Sequence, residues 1–174
     1  MMSETTELPI RRSGIAAILV KKVDGEDRVL LLKRASRTLN GAWCYIGGGI
    51  EPGEKAWQAA KREIWEETGI DIRTLYTGNT FDQFYSPATN DIYMAPVFVG
   101  FVEDNQDVML NREHSEYEWL RFPDAMERAT LPGNDVVLAF VEKHFVKKVP
   151  VEWLRIELAV KVVDQKKVTS LPTQ

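Results

Sequence analysis

Three carboxylates in this 174-residue chain, Glu63, Glu66 and Glu67, stand at i, i+3 and i+4. On a helix that spacing projects all three from one face, within a few ångströms of each other. Without basic partners such like-charge pairs destabilise a helix by roughly a few tenths of a kcal/mol each. A bound divalent cation reverses the sign. Clustered carboxylate oxygens suit a hard ion, and magnesium commonly takes a few carboxylates while leaving its other positions to water and phosphate oxygens. Just upstream, Gly48 to Gly53 is glycine-rich, so its backbone can offer a carbonyl to a metal or amide N–H groups to a phosphate. Three glutamates alone mark a solvated acidic helix face more often than a site, so the surrounding residues have to decide.

The elements that would position these groups can be read from apolar spacing. From Gly53 to Thr68 the apolar positions Trp57, Ala60 and Ile64 fall three and four apart, which predicts a helix of about four turns, and Gly69 stands where a C-terminal cap belongs. Upstream, Ile15 to Val20 and Val29 to Leu32 are short apolar runs around an Asp24-Gly25 turn signal, a hairpin of strands covered on both faces. Trp43 to Ile46 is a further short apolar piece. Ile70 to Leu75 and Tyr93 to Val102 read as strands, with the polar and aromatic stretch Thr80 to Asp91 as a loop over a site. Tyr117 to Leu120 reads as a short strand. Phe122-Pro123-Asp124 then opens a helix capped by Asp124, and Asn134 caps a last helix whose face carries Val137, Phe140, Val141 and Phe145. Strands and helices without regular alternation indicate an α+β chain, a mixed sheet with helices packed on it.

Composition bounds the function. The 44% hydrophobic and 28% charged fractions are those of an ordinary globular domain. With 26 acidic against 22 basic residues, a net charge of -4 argues against holding long nucleic acid through the overall field. The single cysteine, Cys44, reads as a bland thiol in an apolar neighbourhood, with no flanking base to lower its pKa. The longest apolar run is far short of a membrane span and no basic-then-apolar leader opens the chain, so a cytoplasmic enzyme without membrane partners is expected. Residues 1–9 read as a loose lead-in, 10–149 as the domain, and 150–174 as an extension. There Ile156, Leu158, Val160 and Val162 alternate with other residues as in an added strand, whose edge could pair with a second subunit in a homodimer.

From Gly48 to Ile70 the sequence satisfies all nine defined positions of G-x5-E-x7-R-E-U-x-E-E-x-G-U, where U is aliphatic. A chance match has a probability on the order of 10⁻⁸ at average residue frequencies. The chain thus resembles the Nudix hydrolase family. The resemblance implies an α/β/α sandwich, Mg²⁺ as cofactor with Mn²⁺ as a substitute, and hydrolysis of a nucleoside diphosphate linked to another group. By it, Glu63 and Glu67 resemble the principal metal ligands, with Glu66 beside them as ligand or base. Arg62 resembles the arginine that orients them, Glu54 the residue fixing the loop-helix junction, and Gly48 the one whose carbonyl joins the metal shell.

A distant carboxylate is often recruited in this family. The candidates are Glu113, Glu116 and Glu118, and Glu113-His114 ahead of Trp119-Leu120 is similar to pyrophosphohydrolases acting on dATP-like or dihydroneopterin triphosphate substrates. This favours Glu113, catalytic or metal-bound, and a nucleoside triphosphate cut to monophosphate and pyrophosphate. His114, with no second histidine nearby, reads as a structural or loop residue rather than a ligand. Arg12 and Lys33-Arg34 are candidates for phosphate contacts, and Phe81, Phe84 and Tyr85 for stacking on a base. Tyr85 and Pro87 stand near offsets found in hydrolases of dinucleoside polyphosphates or ADP-ribose, the alternative substrates. Many family members carry Trp-x-x-Pro-Gly-Gly ahead of the box, whereas here Ile46 replaces the proline. A non-catalytic nucleotide-binding regulator is the rival class, but it would be expected to have lost metal glutamates that this chain keeps.

Overall fold

The structure is a computed structural model that describes residues 7–158. A central strand β2 (Gly14–Val23) turns at Asp24-Gly25 into β3 (Glu26–Arg34), pairing Val20 with Val29 and Val23 with Glu26. Both turn residues have positive φ, as the tight connection requires. Parallel to β2 lies β7 (Asp91–Phe101), whose other end pairs with the short β1 (Ile10–Arg11). Two further short strands follow β3: β4 (Trp43–Cys44) pairs with β3, and β5 (Ile46–Gly49) pairs with the first half of β2. β6 (Thr74–Ser86) and β8 (His114–Arg121) add antiparallel neighbours to β7 and β3. The eight strands form one mixed sheet.

Because side chains alternate along a strand, β2 feeds two separate cores. Ala16, Ile18 and Val20 pack with Val137, Leu138, Val141 and Phe145 beneath helices α2 (Phe122–Arg128) and α3 (Asn134–Val141), the latter continued by a π-helical turn over 142–146. Ile15, Ala17 and Leu19 pack with Ala59, Ala60 and Ile64 of α1 (Ala56–Thr68) on the other face. Helices on both faces of a mixed sheet make the α/β/α sandwich. Burial on both faces explains why β2 reads as a continuous apolar run. Among the described residues no helix is long and apolar enough to cross a membrane.

Several elements differ from their sequence reading. Thr80 to Asp91 is not a loop. It is the end of β6, a turn, and the start of β7, with Phe84 opposite Tyr93 and Ser86 opposite Asp91. The polar face of that ribbon hid its pairing, and a bulge between Thr77 and Phe81 breaks its alternation. Gly78 lies in that bulge, and a Cβ there would come within 2.8 Å of the Val97 carbonyl oxygen. Strand β6 begins at Thr74, while Ile70 and Ile72 are core residues of the connection leading to it. Asp124 does not cap α2: it lies inside the first turn and takes a 2.7 Å bond from Arg121. Nor does Asn134 cap α3. It is the first helical residue, after Gly133, and its side chain turns inward. Of the alternating tail, Arg155 bridges to Tyr76 and Ile156 and Leu158 pack on the α1-side core, whereas Val160 and Val162 lie outside the described residues.

Candidate active site

Helix α1 starts where Gln58 accepts a 2.8 Å bond from the Lys55 amide, and ends at Gly69, whose φ of 68° lets its N–H bond the Trp65 carbonyl at 2.8 Å. Its inner face buries Ala59, Ala60 and Ile64, which fixes the rotation of the helix and hence the direction of its carboxylates. Arg62 organises the junction. Its guanidinium holds Glu54 with two bonds (3.0 and 2.9 Å), Glu63 at 2.7 Å and Glu66 at 3.2 Å, and donates to the Gly49 carbonyl at 2.7 Å. A planar fork of fixed donors can satisfy so many acceptors at once, which an ammonium cannot do in this geometry. The Arg62–Glu66 contact is an i, i+4 pair, so the glutamate row does have the basic partner that the spacing argument left out. Glu54 also accepts from the Glu51 amide at 3.0 Å, tying the glycine-rich loop to the helix, and Arg62 holds the Glu54 carboxyl below its ordinary range.

The Glu63 side chain lies against Gly48 so closely that a Cβ on Gly48 would sit 2.1 Å from the carboxyl carbon. Only glycine allows this approach. Burial pushes the Glu63 carboxyl up, against the opposing effect of Arg62. Glu67 is more extreme. It is 3% exposed, and its Oε2 is buried with no hydrogen-bond partner. Burial first, and then the charges of Glu63 and Glu113, push its carboxyl from 4.5 to about 8.

Behind it stands His114, 6% exposed, with Nε2 3.8 Å from Glu67 Oε2, too far for a hydrogen bond. The other ring nitrogen is 3.3 Å from Asn111 Oδ1. Burial, aided by Arg34, lowers the His114 pKa and favours the neutral ring. Of the two readings its sequence context left open, structural or loop, His114 takes the structural one: it is buried, opens β8 and stands beside Glu67 of α1. Glu113 is exposed beside it, close enough for its charge to raise both Glu63 and Glu67. Glu116 and Glu118 point elsewhere, pairing with Lys33 at 2.7 Å and Arg128 at 3.3 Å.

Among the described residues no three acidic, histidine or cysteine side chains are already drawn into a closed cation cage. Mutual repulsion and the pull of Arg62 on Glu63 and Glu66 account for the open arrangement. The donor set nonetheless suits a hard divalent ion. It combines an orphaned buried carboxylate oxygen, two neighbouring carboxylates, and a glycine backbone packed against one of them. Among the described residues no lysine or arginine is ion-paired with Glu67, and the charge of Arg34 only partly opposes the rise in its pKa.

A cleft of about 480 Å³ adjoins this face through Gly47 to Gly49. Arg34 and Phe84 line it, whereas Arg12 and Tyr85 do not. Arg11 reaches the cleft instead of Arg12; it is paired with Asp91 at 2.8 Å and lies over the Tyr93 ring. The Tyr85 hydroxyl bonds Asn90 at 3.0 Å, on the opposite side of the ribbon from Phe84. Cys44 also borders the cleft, with its thiol pushed up by burial. Ile46, in the place of the proline, is a fully buried strand residue opposite Ala17. A wider groove of about 690 Å³ beside Trp57 and Trp65 includes none of Glu63, Glu66, Glu67 or Glu113.

A family model for the NUDIX domain matches residues 12–140. The chain belongs to the Nudix family. It is 33% identical over 131 residues to the nucleoside triphosphatase NudI of an Escherichia coli O81 strain, covering 71% of this chain and 86% of that protein. It is also 33% identical over 137 residues to an octanoyltransferase of Myxococcus xanthus, covering 75% of this chain but 37% of that longer protein. Among solved structures, the MutT protein of Methanosarcina mazei Go1 superimposes with a TM-score of 0.62 at 33% identity, covering 79% of this chain and 94% of that one. The family and these relatives support an enzyme, a Nudix pyrophosphohydrolase. Nudix hydrolases generally use divalent metals such as Mg²⁺ and act on small nucleotide substrates.

Proposed function

We propose that this Nudix enzyme hydrolyses nucleoside triphosphates to the monophosphate and pyrophosphate, with Mg²⁺ as cofactor and Mn²⁺ as a substitute. The observation that carries the reading is Glu67: a buried carboxylate oxygen without a partner, beside Glu63 and Glu113, whose ionised form a bound cation would stabilise where burial now favours the protonated one. Glu63, Glu66, Glu67 and Glu113 with the Gly48 carbonyl are the groups that would hold the ion. Magnesium bound there offsets phosphoryl charge and lowers the pKa of water.

The chain's own residues do the rest. Arg62 keeps Glu63 and Glu66 aimed, and Gly48 leaves room for Glu63. Whichever of Glu66 and Glu113 is not committed to the metal, both being exposed to solvent, takes the proton from the attacking water. Arg34 contacts phosphate oxygens, and Phe84 offers a ring for the base. The triphosphate reading is supported by the Glu113-His114 pattern and by the name of the NudI relative. Residues 10–149 carry this activity, with 150–174 as an extension. A panel of triphosphates, dinucleoside polyphosphates and ADP-ribose with Mg²⁺ tests it. Pyrophosphate released from triphosphates is the expected result, and ADP-ribose cleaved far faster than any triphosphate would overturn it.

A further inference from the structure

Beyond its bulge, strand β6 has β7 as its only strand partner among the described residues, and Arg155 bridges to its other edge only at Tyr76. Which backbone groups this leaves free follows from Ile92. Its N–H donates to the Pro9 carbonyl at 2.9 Å, on the side away from β6. Residues opposite each other in an antiparallel pair exchange both hydrogen bonds or neither, so Tyr85, opposite Ile92, turns its N–H and C=O to the open edge. By the two-residue repeat Gln83 and Phe81 do the same, and Pro96, opposite Phe81, has no N–H to give. The side chains of these three residues share the face turned from the cleft, since Asp82 and Phe84 between them line it. Phe81, Phe84 and Tyr85 are each about half exposed.

Sheet edges are commonly blunted by charged side chains, lysine above all, or by proline. The other edge strand, β8, carries Glu116, Glu118 and Arg121. From Thr80 to Ser86, β6 carries no lysine, arginine or proline, and its one charged residue, Asp82, is turned to the cleft. We propose that this edge is the interface of a homodimer, in which β6 pairs antiparallel with its own copy about a two-fold axis at Gln83. Gln83 then faces the partner's Gln83 and Phe81 faces the partner's Tyr85. Every outward N–H and C=O of the three residues finds a partner, and an aromatic pair forms on each side of the axis. An axis at Phe81 would run the pairing into the bulge, and one at Tyr85 into the turn at Pro87. No like charges are directly opposed, because Asp82 meets the partner's Phe84. That contact lies on the cleft face, so a ring of each copy stands at the rim of the other's cleft. Half-exposed rings leave roughly 100 Å² each to bury. With Gln83 and the strand edge, both copies together approach the roughly 1,000 Å² that a specific interface needs, which makes the dimer concentration dependent.

Sedimentation equilibrium of the full chain should show a reversible dimer over roughly 1–100 µM. Gln83→Lys sets like charges against each other across the axis, and Gln83→Pro removes an outward N–H that β7 does not use. Both should stay monomeric over that range with an unchanged circular dichroism spectrum. Gln83 is exposed in the single chain, so Gln83→Lys reports on pairing even if Gln83→Pro unfolds. Directly opposed residues have Cα atoms about 5.5 Å apart, within disulfide reach. In a Cys44→Ala background, Gln83→Cys should therefore cross-link to itself under mild oxidation, whereas Ser86→Cys, opposite the partner's Thr80, should not. A monomer throughout the range, a dimer undiminished in Gln83→Lys, or failure of Gln83→Cys to cross-link overturns the inference.

Discussion

Glutamine in place of Glu67 isolates the electrostatic tension of the site, because it keeps the shape of the side chain and removes its charge. The Glu67 carboxyl is held at about 8 in the fold against 4.5 ordinarily, so between these values the folded state retains a proton that the unfolded chain has lost. Stability from this group is fully present below pH 4.5 and is lost as the pH rises through about 8. A shift of that size corresponds to an upper limit of about 4 kcal/mol by pH 8. Relaxation and water penetration bring the expectation to about 2 kcal/mol, or roughly 4–8 °C in Tm for a domain of this size. In the metal-free protein, Glu67→Gln should therefore melt several degrees above wild type at pH 8 and close to it at pH 4.5. Added Mg²⁺ should raise the wild-type Tm more at pH 8 than at pH 5, since the ion competes with the proton, and should do little for the variant. Activity of the variant should fall by at least about a hundredfold. Differential scanning fluorimetry at several pH values, with and without Mg²⁺, reads all but the last. A variant less stable than wild type at pH 8, or one with an undiminished Mg²⁺ response, would refute this reasoning.

Other substitutions test the remaining parts of the site. Gly48→Ala places a methyl 2.1 Å from the Glu63 carboxyl carbon. It should cut kcat at least about tenfold, while a cost of roughly 1–3 kcal/mol leaves the domain folded by circular dichroism. Arg62→Lys keeps the charge but cannot hold Glu54 twice while also reaching Glu63 and Glu66. Activity should fall together with about 1–2 kcal/mol of stability measured by urea unfolding. Glu113→Gln, exposed and outside the core, should change Tm by no more than a degree or two while lowering kcat/KM by about tenfold or more in a steady-state assay.

What the sequence revealed and what it hid have separable physical causes. The glutamate row, Arg62 and Gly69 belong to one helix and its end, where spacing along the chain translates directly into spacing in space. The hairpin of β2 and β3 was legible for the same local reason. His114 was not, because its neighbour Glu67 is 47 positions away and only the pairing of β3 with β8 brings its loop beside α1. The ribbon at Thr80 to Asp91 read as a loop since its polar, aromatic residues are stabilised by pairing with β7, a partner that periodicity within the segment cannot reveal. Arg11 and Arg12 are adjacent, and only the start of the sheet decides which one faces the cleft. Asn134 has the residue type of a helix cap, but a hydroxyl 89 positions away in sequence claims its side chain.

The most direct test of the central claim is the stoichiometry of products from a triphosphate incubated with the enzyme, with Mg²⁺ present or chelated. The expected result is one pyrophosphate and one nucleoside monophosphate per turnover, abolished by chelation and restored by Mg²⁺ or Mn²⁺. Orthophosphate and diphosphate as the products, or turnover that survives chelation, would contradict it.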